Sequence, residues 1–264
     1  MRSNTVKAAL ARGASSVGSW LTLASPFVTR YMARAGFPWL TVDVEHSPVN
    51  WETAALLFAQ IADAGGVPLA RVPSNTHENI KRALDNGALG IVVPMVNTRE
   101  EAEAAVAATR YHPAGNRSVG GSLHCLNLDA TPAEYYERAA EEILVVLQTE
   151  HVRAVENAEA ICSVDGVDAL FIGPNDLLQS MGKTPAMETD DQEFVAALEH
   201  LRRTADACGV APGLHTASVD AVRRRLAEGW RFIALGSDLA FLNGAARGAT
   251  RELGLSQRGE SARY

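Results

Sequence analysis

The stretch from Ile143 to Met181 decides the fold. It opens on the apolar run Ile143-Leu144-Val145-Val146-Leu147, which ends at Gln148-Thr149-Glu150. A helical segment from His151 to Cys162 follows. A second apolar run, Val167-Asp168-Ala169-Leu170-Phe171-Ile172, then breaks into Gly173-Pro174-Asn175-Asp176-Leu177. Two apolar strands joined by a helix-length crossover make a parallel pair. Glu150 and Asp176 then stand just beyond the C-terminal ends of neighbouring parallel strands, the edge where α/β sheets and barrels carry their chemistry.

The same alternation repeats in both directions. Strands are predicted over residues 17–23, 39–46, 67–72 and 90–96, with helices over 26–35, 51–64, 78–86 and 98–110. Downstream come helices over 191–208, 218–227 and 238–253, and strands over 210–214 and 231–235. Eight strand–helix units in about 250 residues are the size of a (β/α)₈ barrel in one domain, residues 1–264, with 255–264 a frayed polar tail. A doubly wound open sheet is the alternative, but no G-x-G-x-x-G follows the first strand. Residues 111–131 carry no period and lie between strands four and five; a loop of that length is predicted to reach over the barrel mouth.

Bulk properties exclude whole classes. A net charge of −7 speaks against nucleic acid or an anionic membrane as partner. No apolar run is long enough to span a bilayer, and the N-terminus lacks the apolar core of a signal peptide. Cys125, Cys162 and Cys208 are odd in number and scattered, which predicts reduced thiols and a cytoplasmic protein.

Polar residues recur where the strands end: Asp43, Glu45 and His46; Arg71; Gln148 and Glu150; Asn175 and Asp176; His215; Ser237 and Asp238. Gln148 and Glu150, two apart, share a strand face. Unpaired charge facing a barrel interior is costly, so two carboxylates there call for a cation, and a hard divalent ion such as Mg²⁺ or Mn²⁺ suits oxygen ligands. The plainer reading is that Arg71 and backbone amides hold Glu150 and Asp176, with Asp176 capping a helix. His46 is the candidate for proton transfer at neutral pH, or else a loop histidine bonded to a carboxylate. Arg71 suits a substrate carboxylate or a developing enolate oxygen, or a salt bridge to Asp43, Glu45 or Glu150. His215 fits substrate binding, metal ligation or simple lining of the mouth. The four tryptophans read as packing.

Asp43-Val44-Glu45-His46, Arg71-Val72-Pro73, Val93-Pro94-Met95-Val96, Arg110-Tyr111 with Pro113-Ala114-Gly115, Gln148-Thr149-Glu150 and Phe171-Ile172-Gly173-Pro174-Asn175-Asp176-Leu177 together resemble the HpcH/HpaI aldolases, the class II pyruvate aldolases. The likeness runs in order from about Gly18 to Leu242. It implies a metal-dependent (β/α)₈ barrel that cleaves 4-hydroxy-2-oxoacids reversibly to pyruvate, or a related 2-oxo acid such as hydroxypyruvate, and an aldehyde. It also implies a homohexamer, a trimer of dimers that exchange their C-terminal helix. Carried over by position, Glu150 and Asp176 are the ligands of Mg²⁺, Mn²⁺ or Co²⁺. His46, oriented by Asp43, is the acid–base residue, and Arg71 stabilises the enolate oxygen. Gln148 orients the 2-oxo acid, and Gly173 with the Asn175 and Asp176 amides holds its carboxylate. Asp85 matches a residue that reaches a neighbouring subunit's aldehyde site.

Three positions depart from that pattern. Thr149 replaces a common isoleucine and is expected to face outward. Asn175 replaces a frequent alanine, and His215 falls where an apolar residue is usual. The last two point to a more polar aldehyde or a donor such as hydroxypyruvate or oxaloacetate. Competing readings are oxaloacetate decarboxylation, a thioester lyase of the citrate-lyase β kind, or a 2-oxo acid binding protein without turnover. No basic cluster for the phosphates of coenzyme A is evident, and intact Asp43, His46 and Arg71 count against lost turnover.

Overall fold

A computed structural model describes residues 1–255; residues 256–264, which hold almost all of the tail expected to fray, lie outside the described residues. Strands β1 (Ser16–Leu21), β2 (Trp39–Asp43), β3 (Val67–Arg71), β4 (Gly90–Val93), β5 (Leu144–Gln148), β6 (Ala169–Phe171), β7 (Gly213–Thr216) and β8 (Phe232–Ser237) form one parallel sheet in the order β6-β5-β4-β3-β2-β1-β8-β7. Its two edges meet: the Leu170 amide donates to Ala211 O at 3.0 Å and the Ile172 amide to Gly213 O at 2.9 Å. The sheet is thus a nearly closed (β/α)₈ barrel.

Outside it lie α1 (Thr5–Ala11), α2 (Pro26–Met32), α3 (Trp51–Asp63), α4 (His77–Asp85), α5 (Arg99–Thr109), α6 (Leu123–Asn127), α7 (Pro132–Glu142), α8 (Val152–Glu156), α9 (Ala158–Cys162), α10 (Pro174–Ser180), α11 (Gln192–Ala207), α12 (Val219–Ala227) and α13 (Asp238–Glu252). Side chains of Ser25, Asn50, Thr76, Thr98, Ser218 and Ser237 each accept an amide N–H that opens the following helix. The helix starts are therefore written into the strand-to-helix turns. Among the described residues no helix is long and apolar enough to cross a membrane.

Register stacks the interior in layers. Trp20, Thr41, Leu69 and Gly90 stand side by side, and above them Asp43, Arg71, Val92 and Val146. Lower down, Trp39 stacks on Phe232 at 4.3 Å. It can do so because Gly18 leaves room: a Cβ there would lie 2.1 Å from the indole. The layer at the C-terminal end is the polar one, so the barrel is an apolar plug with a charged mouth.

The structure corrects several expectations. Strand β2 stops at Asp43, so Glu45 and His46 belong to the turn beyond it. Strand β7 runs through His215, which lies inside the strand rather than after it. The crossover at 151–162 is two short helices that meet at Asn157. Helix α7 was not anticipated, although Thr131 and Glu134 form its capping box. Residues 111–131 do not cover the mouth. Helix α5 first carries the chain back to the N-terminal end of the barrel, where Asn127 packs against Gly87, just past α4.

Candidate active site

Asp43 organises one side of the mouth. It is buried, and its two oxygens accept Arg71 Nε at 3.0 Å and Nη2 at 2.5 Å. Its Oδ1 also accepts the amides of Glu45 (3.0 Å) and His46 (3.1 Å), which winds the turn after β2. Asp43 thus positions His46 through the backbone rather than through the ring. The His46 side chain is 66 % exposed, with Nε2 3.8 Å from Glu45 Oε2. Arg71 is also 3.3 Å from Glu45 and sits over the Trp20 ring at 4.5 Å. Burial holds the Glu45 carboxyl above the usual carboxylate range, against the pull of Arg71.

Across the mouth, Glu150 is buried and held by two donors. Its Oε1 accepts the Met95 amide at 3.1 Å and its Oε2 accepts Gln148 Nε2 at 2.7 Å. Burial and the neighbouring Asp176 push Glu150 up to about 7. Asp176 is exposed in the first turn of α10, caps nothing with its side chain, and makes no hydrogen bond or ion pair among the described residues. Arg71 pairs with Asp43 and Glu45, not with Glu150, so the plain ion-pair reading fails for the second carboxylate pair.

Glu150 and Asp176 converge over Gly173. A Cβ on that glycine would lie 2.3 Å from Glu150 Oε2 and 3.5 Å from Asp176 Oδ2. The two oxygens flank one small space that any side chain at 173 would fill. Four carboxylates (Asp43, Glu45, Glu150 and Asp176) share the mouth with one guanidinium, an excess of negative charge that favours a cation. No group of three or more His, Cys, Asp or Glu suited to a metal occurs among the described residues. The two carboxylate oxygens over Gly173 nonetheless suit a hard divalent ion that takes two protein ligands and leaves the rest of its shell to water and substrate.

The remaining predicted residues divide. Gln148 is buried beside Glu150, with Oε1 unpartnered. Asn175 turns outward to Met187 Sδ, 3.7 Å away. His215 lines the mouth beside Trp20 and Phe171. Asp238 is structural: buried, it accepts the amides of Thr22, Leu23 and Leu239 and joins β1 to α13. Asp85 is not in this mouth; it lies at the far end of α4, bound to Arg117 at 2.7 Å. Thr149 faces the outer helices and is fully buried.

Two contributors were not singled out. Trp20, read as packing, forms the floor on which Arg71 and His215 rest. Its signal is position: it alternates with Gly18 on an inward strand face. Met95 gives a backbone amide to Glu150 from a left-handed conformation, φ +54°. Only the Pro94 before it marks that turn in the sequence.

The sequence profile of the HpcH/HpaI aldolase/citrate lyase family matches residues 16–245. The chain is 39 % identical over 251 residues to a 5-keto-4-deoxy-D-glucarate aldolase of Shigella dysenteriae serotype 1, covering 95 % of each chain. A crystal structure of an HpcH/HpaI aldolase/citrate lyase family protein from Burkholderia cenocepacia J2315 superposes with a TM-score of 0.88 at 31 % identity, over 95 % of this chain and 99 % of that one. The HpcH/HpaI aldolase of Desulfitobacterium hafniense DCB-2 gives 0.87 at 30 %, over 97 % and 99 %.

Proposed function

The chain belongs to the HpcH/HpaI aldolase/citrate lyase family and is a carbon–carbon lyase of the aldolase kind, and from that premise we propose that it reversibly cleaves a 4-hydroxy-2-oxoacid to a pyruvate-type 2-oxo acid and an aldehyde. The relative that acts on 5-keto-4-deoxy-D-glucarate supports a keto sugar acid as the substrate class. The observation that carries the reading is the convergence of Glu150 and Asp176 on the space over Gly173.

Those two carboxylates would hold a divalent ion, Mg²⁺ or Mn²⁺, which when bound supplies Lewis acidity toward the 2-oxo acid. The protein's own groups do the rest. His46, on the turn fixed by Asp43, takes the proton of the 4-hydroxyl as that carbon becomes the aldehyde carbonyl. The electron pair of the breaking C3–C4 bond passes into the enolate, whose oxygen meets the guanidinium of Arg71. Asp43 locks that guanidinium, so it is in place before charge develops. A proton returned to C3 completes the 2-oxo acid. Gln148, tied to Glu150, orients the 2-oxo acid, and the amides that open α10 receive its carboxylate.

The same reading assembles the chain into a homo-oligomer, a hexamer built from dimers. Helix α13 supports this: only Asp238 in it is buried, and Phe241 and Leu242 in it and Leu253 at its C-cap face outward, ready to pack on a second copy. Asp85, remote from its own mouth, would then face a neighbour's. The cytoplasm suits its three free thiols.

Proton NMR of pyruvate in D₂O tests the lyase reading without knowledge of the aldehyde. Loss of the methyl signal is expected with Mg²⁺, and is expected to stop with EDTA or in His46→Ala. Absence of exchange with pyruvate, hydroxypyruvate and oxaloacetate alike would overturn it.

A further inference from the structure

His215 is held in a way that fixes what it offers. Strand β7 turns it inward, where its ring stacks on Trp20 (5.6 Å, 16°) and tilts against Phe171 (6.3 Å). Its Nε2 is 3.1 Å from the carbonyl oxygen of Gly236. A carbonyl only accepts, so Nε2 carries the proton. In the neutral ring Nδ1 is then a bare lone pair. It has no partner among the described residues, and the ring is partly open to the mouth. Burial, with Arg71 nearby, pulls its pKa down to about 4, which keeps the ring neutral at physiological pH.

The wall around this lone pair is aromatic. Trp20 and Phe171 offer faces, and the one indole N–H there, Nε1 of Trp20, is buried without a partner of its own. Neither the Trp20 N–H nor the Arg71 guanidinium, which is bonded to Asp43, makes a hydrogen bond to Nδ1, so its donor comes from the mouth. A carboxylate or carbonyl cannot serve, because both only accept. A hydroxyl can.

Resting on the aldolase reading, we propose that His215 is a specificity-determining residue whose Nδ1 accepts a hydrogen bond from a substrate hydroxyl on or beside a reacting carbon. The hydroxyl belongs either to C3 of the 2-oxo acid, as in hydroxypyruvate, or to the α-carbon of the aldehyde, as in glycolaldehyde. The residue discriminates by pairing: a substrate without that hydroxyl leaves the acceptor unsatisfied, which costs selectivity of about tenfold.

The test compares pairs that differ by one hydroxyl, with Mg²⁺-loaded wild type, His215→Leu and His215→Asn. The donor pair is read as Kd for hydroxypyruvate and pyruvate. The aldehyde pair is read as kcat/KM for glycolaldehyde and acetaldehyde with the donor fixed. Wild type is expected to favour the hydroxylated member of one pair, which names the source of the hydroxyl. His215→Leu is expected to lose about tenfold of that preference. His215→Asn, whose side-chain oxygen reaches the Nδ1 position, should keep part of it. Equal effects of His215→Leu on both members of each pair would overturn the proposal, and so would a wild type without preference. The ¹⁵N spectrum of the wild-type ring is a check that needs no variant: a proton on Nδ1 also overturns it. Failure of every aldehyde to react sinks the lyase reading instead; the donor pair and the ¹⁵N spectrum still read His215 without turnover, and a donor pair without preference then overturns this proposal too.

Discussion

Arg71 and Arg117 are both guanidinium groups drawn out of water onto a carboxylate and an aromatic ring, one at each end of the molecule. Arg71 grips Asp43 over Trp20, its side chain 13 % exposed. Arg117 has no exposed side-chain surface; it donates to Asp85 at 2.7 Å and to Tyr135 Oη at 3.0 Å, over the ring of Tyr111. The contact chemistry is nearly the same. The surroundings are not. Around Arg117 one carboxylate meets one cation, and two tyrosines close over them. Around Arg71 three further carboxylates (Glu45, Glu150 and Asp176) outnumber the cation, and Asp176 makes no hydrogen bond or ion pair among the described residues. A buried ion pair alone says little about function. Charge left over beside an opening does.

The largest effect expected is on stability, at the closed site. Arg117→Met removes the cation and leaves Asp85 and the Tyr135 hydroxyl facing a thioether. Unfolding free energy is expected to fall by about 3 kcal/mol, read as a lower urea midpoint at unchanged slope. A variant as stable as the wild type would mean that Arg117 is not a staple, and the contrast between the two arginines would collapse.

At the open site the expected change is in rate. Arg71→Lys keeps the charge but gives up the fork that holds Asp43 while facing the substrate. A fall in kcat of about 10²-fold is expected, with the melting midpoint little changed. Lost stability at unaltered kcat would instead make Arg71 another Arg117.

The two regions also differed in how far the sequence disclosed them. The mouth could be read because apolar runs ended on polar residues at a regular spacing, and the parallel fold brings every such end to one rim. Glu150, Asp176, Arg71 and His46 all followed from that rule. The Arg117 cluster could not be read this way. Asp85, Tyr111, Arg117, His124 and Tyr135 come from three separate elements and the links between them, at no common period, and only packing assembles them. Helix α7 went unseen although Thr131, the N1 proline Pro132 and Glu134 mark its start, because it directly follows a stretch with no period. Trp20 packs in the core as expected, and its second part, flooring the site, was hidden for a different reason: an indole in an apolar strand looks the same whether or not a site lies above it. The expectation that Asp43 orients His46 left the kind of contact open. In the structure Asp43 accepts the His46 amide, a contact no side-chain pattern encodes.

Backbone strain sharpens the contrast at smaller scale. In the loop that carries Arg117, the left-handed residues are Gly121 (φ +75°) and Asp129 (φ +48°), types that tolerate that region. At the strand ends of the mouth Gly236 (φ +51°) is joined by two residues with a Cβ, Ala24 (φ +51°) and Met95 (φ +54°), and the Met95 amide must point at Glu150. A residue with a Cβ pays about 1 kcal/mol there, and the half-exposed thioether recovers little of it. Met95→Gly is therefore expected to raise the urea midpoint slightly, by up to about 1 kcal/mol less the entropy glycine loses on folding. The amide stays in place, so Glu150 keeps its donor and kcat should not move. A variant that gains stability yet loses kcat would show that the Met95 side chain contributes to the site as well as its backbone. One that loses both would place the φ +54° turn under control of its neighbours, with the thioether as part of the packing that holds Glu150.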